Sequence, residues 1–310
     1  MAVLAIFMVI GFTVAKLGVV GKEASSVLSK LENTVFIPAL VMGTFIKNFT
    51  TEKLGATWRI LLFSTVIVLI VIPISMLVAK IATKDPYIRN IYTYGLSFAN
   101  FGFMGIPIVS ALFPEYEMYY IIFTLPLWTF IYVWGAPSLL MNGGNGGEGK
   151  RTIVSKLKTL VNPMFIGLII GAVIGISSLP LPGFLMSVIN TCADCMSPLA
   201  MIITGMTFAS INIKKVLSDK SIYFISAVRL VVLPLIFGGI YLLITRIFSL
   251  GAPEYYFICM LCSQAMPLGL NTVVIPAAYG KDTSVAAGMA LISHGLSVIT
   301  IPIILSAFGL

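Results

Sequence analysis

The chain has 310 residues, 59% of them hydrophobic and only 10% charged, a balance that excludes a soluble globular domain and points to an integral membrane protein. The formal charge of +8 does not indicate nucleic-acid binding, because the lysines and arginines sit in short segments between apolar runs rather than clustered on one face. The apolar runs recur from end to end, each about 20 residues long and able to cross roughly 30 Å of hydrocarbon, and they leave little chain for a soluble domain.

In chain order the pattern predicts an all-α membrane protein with ten transmembrane helices, at 1–20, 31–46, 58–82, 90–112, 117–140, 160–177, 184–210, 221–247, 255–278 and 284–308. The first run follows Met1 with no basic leader and no small-residue cleavage site, so it is expected to be a retained span and not a signal peptide. The connecting segments alternate in charge. One set carries Lys80, Lys84, Arg89, Lys150, Arg151, Lys214 and Lys215 among others, and the other set carries only Lys47, Lys53, Arg59 and Arg246. The positive-inside bias therefore places the first set in the cytoplasm and both termini outside, in the plasma or inner membrane.

The two halves of the chain share their punctuation. Ile10 and Gly11 align with Ile170 and Gly171, Pro38 with Pro198, Pro73 with Pro234, Gly102 with Gly269, Pro107 with Pro276 and Pro137 with Pro302. Such matches are expected of a diverged internal duplication. With five spans in each half, the second must enter the membrane from the opposite side, giving a 5+5 inverted repeat. The expected divisions are a first repeat at 1–141, a Gly-rich basic cytoplasmic loop at 142–158 and a second repeat at 159–310. The loop, "NGGNGGEGKRTIVSKLK", is no nucleotide site, since no strand precedes it and no G-K-[ST] stands at the required spacing.

Two spans carry residues that spoil a helix. "SFANFGFMGIPIV", Ser97 to Val109, and "SQAMPLGLNTVVIPAAYG", Ser263 to Gly280, fall in the fourth and ninth spans. Proline removes an amide donor and disturbs the turn before it, and lipid cannot satisfy the groups so freed. Paired breaks at matched positions predict a transporter's binding site, with half-helix N-termini favouring an anion. The candidate substrate residues are Asn100, Phe101, Gly102, Gly105 and Pro107 in one stretch, and Ser263, Gln264, Pro267, Gly269, Asn271 and Pro276 in the other. The alternative is a pair of packing kinks.

Three ionisable residues fall within predicted spans and are ion-coupling candidates. Asp194, near the outer end of the seventh, reads as a proton carrier or cation ligand, or as a partly wet structural carboxylate. Arg229 reads as a snorkelling side chain, an ion-pair partner of Asp194 or an attractor of a substrate carboxylate. His294, near the middle of the last span, reads as a titrating group or a satisfied packing histidine. The pairs Cys192/Cys195 and Cys259/Cys262 lie in separate apolar spans, unlike a zinc ribbon, and are expected to be small buried residues with no metal. No catalytic motif such as G-x-S-x-G or H-E-x-x-H is present, so neither an enzyme nor a cofactor is expected. A small organic anion is the expected cargo, driven by a proton rather than sodium for want of an acidic cluster. A fixed-pore channel and a membrane receptor are the other readings.

"NFGFMGIPI", Asn100 to Ile108, and "MPLGLNTVVIPAAYGKD", Met266 to Asp282, resemble the auxin efflux carrier family, which includes plant PIN-type auxin exporters and bacterial carriers of malate, malonate and similar acids. The resemblance covers nearly the whole chain. It implies a fold like that of the bile-acid sodium symporters, with two crossed, interrupted helices, a scaffold bundle and a transport bundle, an elevator-type shift and a homodimer. It also implies crossover and substrate roles for Asn100, Pro107, Pro267, Gly269, Asn271 and Pro276. The central loop is far shorter than in plant exporters with long regulatory loops, pointing to the bacterial type.

Overall fold

The computed structural model describes residues 2–21, 23–49, 54–141, 163–209, 219–249, 253–278 and 281–310. The basic loop expected at 142–158 lies outside the described residues. Those described are all-helical, with no strand beyond one isolated bridge. Helices satisfy their own backbone groups, which hydrocarbon cannot do for them.

The helices are α1 (Ala2–Lys16), α2 (Ala24–Leu31), α3 (Ile37–Asn48), α4 (Leu54–Ala82), α5 (Pro86–Ser97), α6 (Ile106–Leu112), α7 (Glu117–Phe130), α8 (Pro163–Ser177), α9 (Gly183–Ala209), α10 (Lys220–Ala227), α11 (Leu233–Ile247), α12 (Glu254–Ala265), α13 (Asn271–Ala278) and α14 (Ser284–Ala307). Among the described residues, four helices are long and apolar enough to cross a membrane: Thr57–Ala82, Gly183–Ala209, Lys220–Ile247 and Ser284–Ala307. A fifth is added if Pro114–Phe130 and Val133–Met141, bent by 47° at their junction, are one span. The remaining expected spans fall on shorter or interrupted helices. In α4 one face is exposed through Leu62, Val66, Leu69 and Ile70, while Ile60, Ile67, Val68 and Val71 are buried. An apolar exposed face of this kind suits lipid.

Wide π turns interrupt several helices at Glu32–Phe36, Phe101–Gly105 and Val228–Val232. Each ends just before Ile37-Pro38, Ile106-Pro107 or Leu233-Pro234. The physical cause is common to all three. A proline ring presses on the carbonyl four residues earlier, and here those carbonyls belong to Thr34, Phe103 and Leu230, all inside the widened turn. Pro73, Pro198 and Pro302, by contrast, sit within α4, α9 and α14 without ending them.

The chain forms two compact units, and both draw on both halves of the sequence. The first comprises Met1–Ile60, Ile106–Ile122 and Ile153–Ser210; the second comprises Leu61–Gly105, Phe123–Thr152 and Ile211–Leu310. The expected first, second, sixth and seventh spans thus belong to the first unit. The eighth, ninth and tenth, nearly all of the third, and parts of the fourth and fifth belong to the second.

Within the first unit α1 packs on α9, and α3 packs on α8. Glycine makes both contacts possible, as small residues do wherever membrane helices approach closely. A methyl group at Gly171 would lie 2.6 Å from the carbonyl oxygen of Met42, and one at Gly11 would collide with the carbonyl of Ile202. These are the same pair at two places in the sequence: adding 160 to 11 and to 42 gives 171 and 202. Gly167 and Gly175 press on the carbonyls of Pro38 and Phe45 along the same seam.

Replacing Gly171 with Val should force α3 and α8 apart and cost about 1–3 kcal/mol or more, read as a lower melting temperature in detergent. Gly239→Ala, where a methyl group meets nothing within 4 Å, should leave the melting temperature unchanged. Equal melting of both variants would contradict the close-approach account.

Candidate functional site

The site in the second unit begins with a well-anchored helix. The Asp85 carboxylate accepts hydrogen bonds from the amides of Tyr87 (2.8 Å) and Ile88 (3.0 Å), with Pro86 at the first helical position, a strong N-terminal signal. The helix α5 runs to Ser97, and Phe98 then turns extended, with φ −123° and ψ 96°. The chain re-enters helix through the π turn at Phe101, where the amides of Met104 and Gly105 donate to the carbonyl of Asn100 at 3.2 and 3.0 Å. The second interruption is similar. Helix α12 ends at Ala265, Met266 is extended with φ −69° and ψ 148°, and α13 restarts at Asn271. There the amide of Thr272 donates to the carbonyl of Gly269 at 3.0 Å.

The two extended segments pair with each other. Ala99 and Leu268 form an antiparallel bridge, in which the Asn100 amide donates to the Pro267 carbonyl at 2.7 Å and the Gly269 amide to the Phe98 carbonyl at 3.3 Å. Adding 169 to 98 and 100 gives 267 and 269, so each bond is the counterpart of the other. The sequence reading expected freed peptide groups at this point to face the cargo; instead, two amides and two carbonyls satisfy one another. Gly269 is required by this contact, because a methyl group there would lie 2.9 Å from the Phe98 carbonyl oxygen.

Arg229 closes the other side of both breaks. It is 1% exposed, so the snorkelling expectation is overturned. Its guanidinium donates to the carbonyls of Leu96 (2.8 Å), Ser263 (2.9 Å) and Met266 (3.0 Å), and to Gln264 Oε1 at 3.4 Å. These carbonyls end α5 and α12, where the helix dipole is negative and a cation is favourable. The planar fork of arginine reaches several acceptors at once, which a lysine ammonium does not do in the same geometry. Its place in the π turn Val228–Val232 puts it two residues past α10.

His294, on α14, meets the first break. Its Nε2 stands 2.9 Å from Asn100 Nδ2 and its Nδ1 stands 2.8 Å from the Ala290 carbonyl oxygen. Ser293 Oγ, one residue earlier, accepts from the Leu268 amide at 3.3 Å. Asn100, Phe101, Gly102, Gly269 and Asn271 line one small cavity walled by aromatic side chains that include Phe98 and Trp128. Its volume of about 20 Å³ has room for a water molecule. Gly102 lies under the Trp128 ring, 2.7 Å from where a methyl group would be placed.

The remaining predicted residues take other positions. Gly105 and Pro267 serve the backbone bonds just described, Ser263 and Gln264 lie on the Arg229 side of the break, and Pro276 is buried within α13. Pro107 and Asp194 belong to the first unit, where they line a second cavity of about 610 Å³ together with Lys47, Glu117, Ser110 and Asn190. Glu117 accepts from Thr44 Oγ1 at 3.3 Å and from the Ser110 hydroxyl. Sequence reasoning passed over Lys47 and Glu117 as span ends, although a charge at the edge of each of two apolar runs was visible. The expectation that all four cysteines are buried holds only for Cys259 and Cys262; Cys192 is half-buried and Cys195 exposed. Among the described residues no group of three or more His, Cys, Asp or Glu side chains is placed to hold a metal ion.

An uncharacterized transporter of Methanothermobacter thermautotrophicus is 24% identical over 303 residues, which cover 96% of this chain and 94% of that protein. The family described as membrane transport protein matches residues 1–305. An apolar helical chain matched over almost its whole length in this way is a multi-pass membrane protein that belongs to the membrane transport protein family, the auxin efflux carriers.

Proposed function

We propose that the protein is a secondary active transporter of a small organic anion, a mono- or dicarboxylate such as malate or malonate, or an auxin-like acid. The observation that carries this reading is the pairing of two interrupted helices, which brings Asn100 and Asn271 to one cavity. Backbone breaks inside a membrane protein are tolerated where they are buried or line a cavity, and matched breaks in inverted repeats point to the binding site.

Charge favours an anion. Arg229 is buried in the second unit, and no Asp or Glu is buried among the described residues of that unit. In a low-dielectric interior a fixed cation lowers the energy of an arriving carboxylate. At about 20 Å³ the cavity is too small for a dicarboxylate, so binding needs its aromatic wall to withdraw. The amides of Asn100 and Asn271 then supply hydrogen bonds to the cargo.

The recurrence of the Gly11–Ile202 contact as Gly171–Met42, and of one bridge bond as the other, supports a 5+5 inverted repeat of ten spans with boundaries at 141 and 159 and two crossed helices. Under this reading the second unit is the moving body of an elevator and the first unit is the scaffold. The coupling ion is a proton, with sodium as the alternative. The protein lies in the plasma or inner membrane with both termini outside, and it forms a homodimer.

Purified protein in liposomes should take up malate or malonate with saturation and counterflow; linear flux without counterflow would indicate a channel. Asn100→Ala and Asn271→Ala should each weaken binding about tenfold or more, the worth of a hydrogen bond to a charged group, with melting profiles like the wild type. Wild-type affinity in both would reject the site. Arg229→Lys keeps the charge but loses the fork and should cost about 2–4 kcal/mol of stability; a lysine variant that melts like the wild type would show that Arg229 does not tie the two breaks.

A further inference from the structure

We infer that His294 sets the hydrogen-bonding polarity that Asn100 presents to the cargo, and that a proton taken up on its ring reverses that polarity as the anion binds. The inference rests on the proposed substrate site and adds to it a positioning residue with a definite proton position. Each ring nitrogen of the imidazole faces a polar atom. The Ala290 carbonyl can only accept, so the Nδ1 at 2.8 Å from it carries hydrogen. In the neutral ring Nε2 is then a lone-pair acceptor, matched by the Asn100 amide nitrogen at 2.9 Å.

An Asn side chain has two faces, an oxygen that accepts and an NH2 that donates. With the NH2 held by His294, the oxygen is the group left for the cavity that Asn100 lines. An acceptor there repels a carboxylate. A proton added to the ring has one place to go, because Nδ1 is already engaged with Ala290. It lands on Nε2, which becomes a donor and can no longer receive the Asn100 N–H. Rotation of the Asn100 amide by about half a turn restores the bond, now from Nε2–H to Oδ1, and exchanges nearly isosteric O and NH2 groups. The NH2 then faces the cavity and donates to the carboxylate. One proton and one carboxylate charge enter together, and no bond other than hydrogen bonds changes.

The surroundings support this linkage. Helix α14 packs against α10, the π turn at Val228–Val232, α12, α13 and α5. The buried titratable groups those elements bring are Arg229, Tyr92, Tyr94, Cys259 and Cys262. Lys220, Tyr223, Tyr87, Arg89, Glu254, Tyr255 and Tyr256 lie at partly or fully exposed positions on them, and α13 contributes none. The one buried charge in this set is a cation, Arg229. It opposes a proton on His294 while the cavity holds no anion, and an arriving carboxylate offsets that opposition. Proton and anion therefore favour one another's binding, as reciprocal coupling requires.

The test measures malonate and L-malate binding to the purified full-length protein by calorimetry between about pH 5.5 and 8, together with proton uptake in buffers of different ionisation enthalpy. The expected result for the wild type is uptake of one proton per anion and an affinity that weakens about tenfold for each pH unit gained. His294→Gln retains an oxygen that can accept from Asn100 but does not titrate, and its affinity should not vary with pH. A wild type that takes up no proton, or a His294→Gln protein that keeps the tenfold slope, overturns the inference. If that variant fails to fold, His294→Asn takes its place under the same criterion, because the second carboxyl of either acid can itself take up a proton. Asn100→Ala separates the two levels: if it abolishes binding while the proton result is negative, only the role of His294 falls. If it binds like the wild type, or if neither acid binds the wild type at any pH, the substrate site itself falls and the inference with it.

Discussion

A peptide group cannot be left without a hydrogen-bond partner in hydrocarbon, and most of what is distinctive in this protein follows from how that constraint is met where two helices stop short. Phe98 to Asn100 and Met266 to Leu270 leave helical geometry within a buried core, and each segment is the other's partner. The bridge is minimal: two bonds, with glycine at the one position where the backbones press closest. Arg229 answers the same constraint from behind by taking the terminal carbonyls of both helices. Without a partner segment and a buried cation, neither break would be tolerable in so buried a place.

The two compact units use glycine to different ends. In the first, Gly167, Gly171 and Gly175 let helix backbones touch over several turns. In the second, glycine serves the close approach of an extended segment or an aromatic ring, at Gly269 and Gly102. Proline does not follow that division, and both of its uses occur in both units. Pro107 and Pro234 follow widened turns, whereas Pro73, Pro198 and Pro302 are absorbed into continuous helices. Proline alone therefore does not punctuate these spans. Breaks occur where it joins glycine, asparagine and a second segment able to take up the freed groups.

That difference explains what could be read from the sequence and what could not. Membrane character, helical class and the two unusual stretches are local properties of composition and spacing, and they were legible. The partners of Arg229 were not. Its partners lie at the ends of two other helices, and its position in an apolar run alone points to a snorkelling side chain. His294 and Asn100 stand far apart in sequence, so no periodicity could join them; the partner of the ring is no carboxylate one turn away but an amide from the first break. The cavity with Lys47, Glu117 and Asp194 was hidden for the opposite reason. Charges near span ends are ordinary, and only packing shows that these three line a common space.

The burial of Arg229 has an electrical consequence. Arginine keeps its proton in any membrane environment, so the second unit holds a permanent buried positive charge. Across a resting potential each elementary charge moved is worth about 2.3 kcal/mol per 100 mV. If such a unit crossed the field as an elevator, it would be drawn empty toward the negative side of the membrane, whereas the same unit holding a dicarboxylate together with the proton on His294 would move with no net charge. Voltage would then act on the empty return step and leave the loaded one alone, so the current carried per cycle would report how many charges the cargo brings.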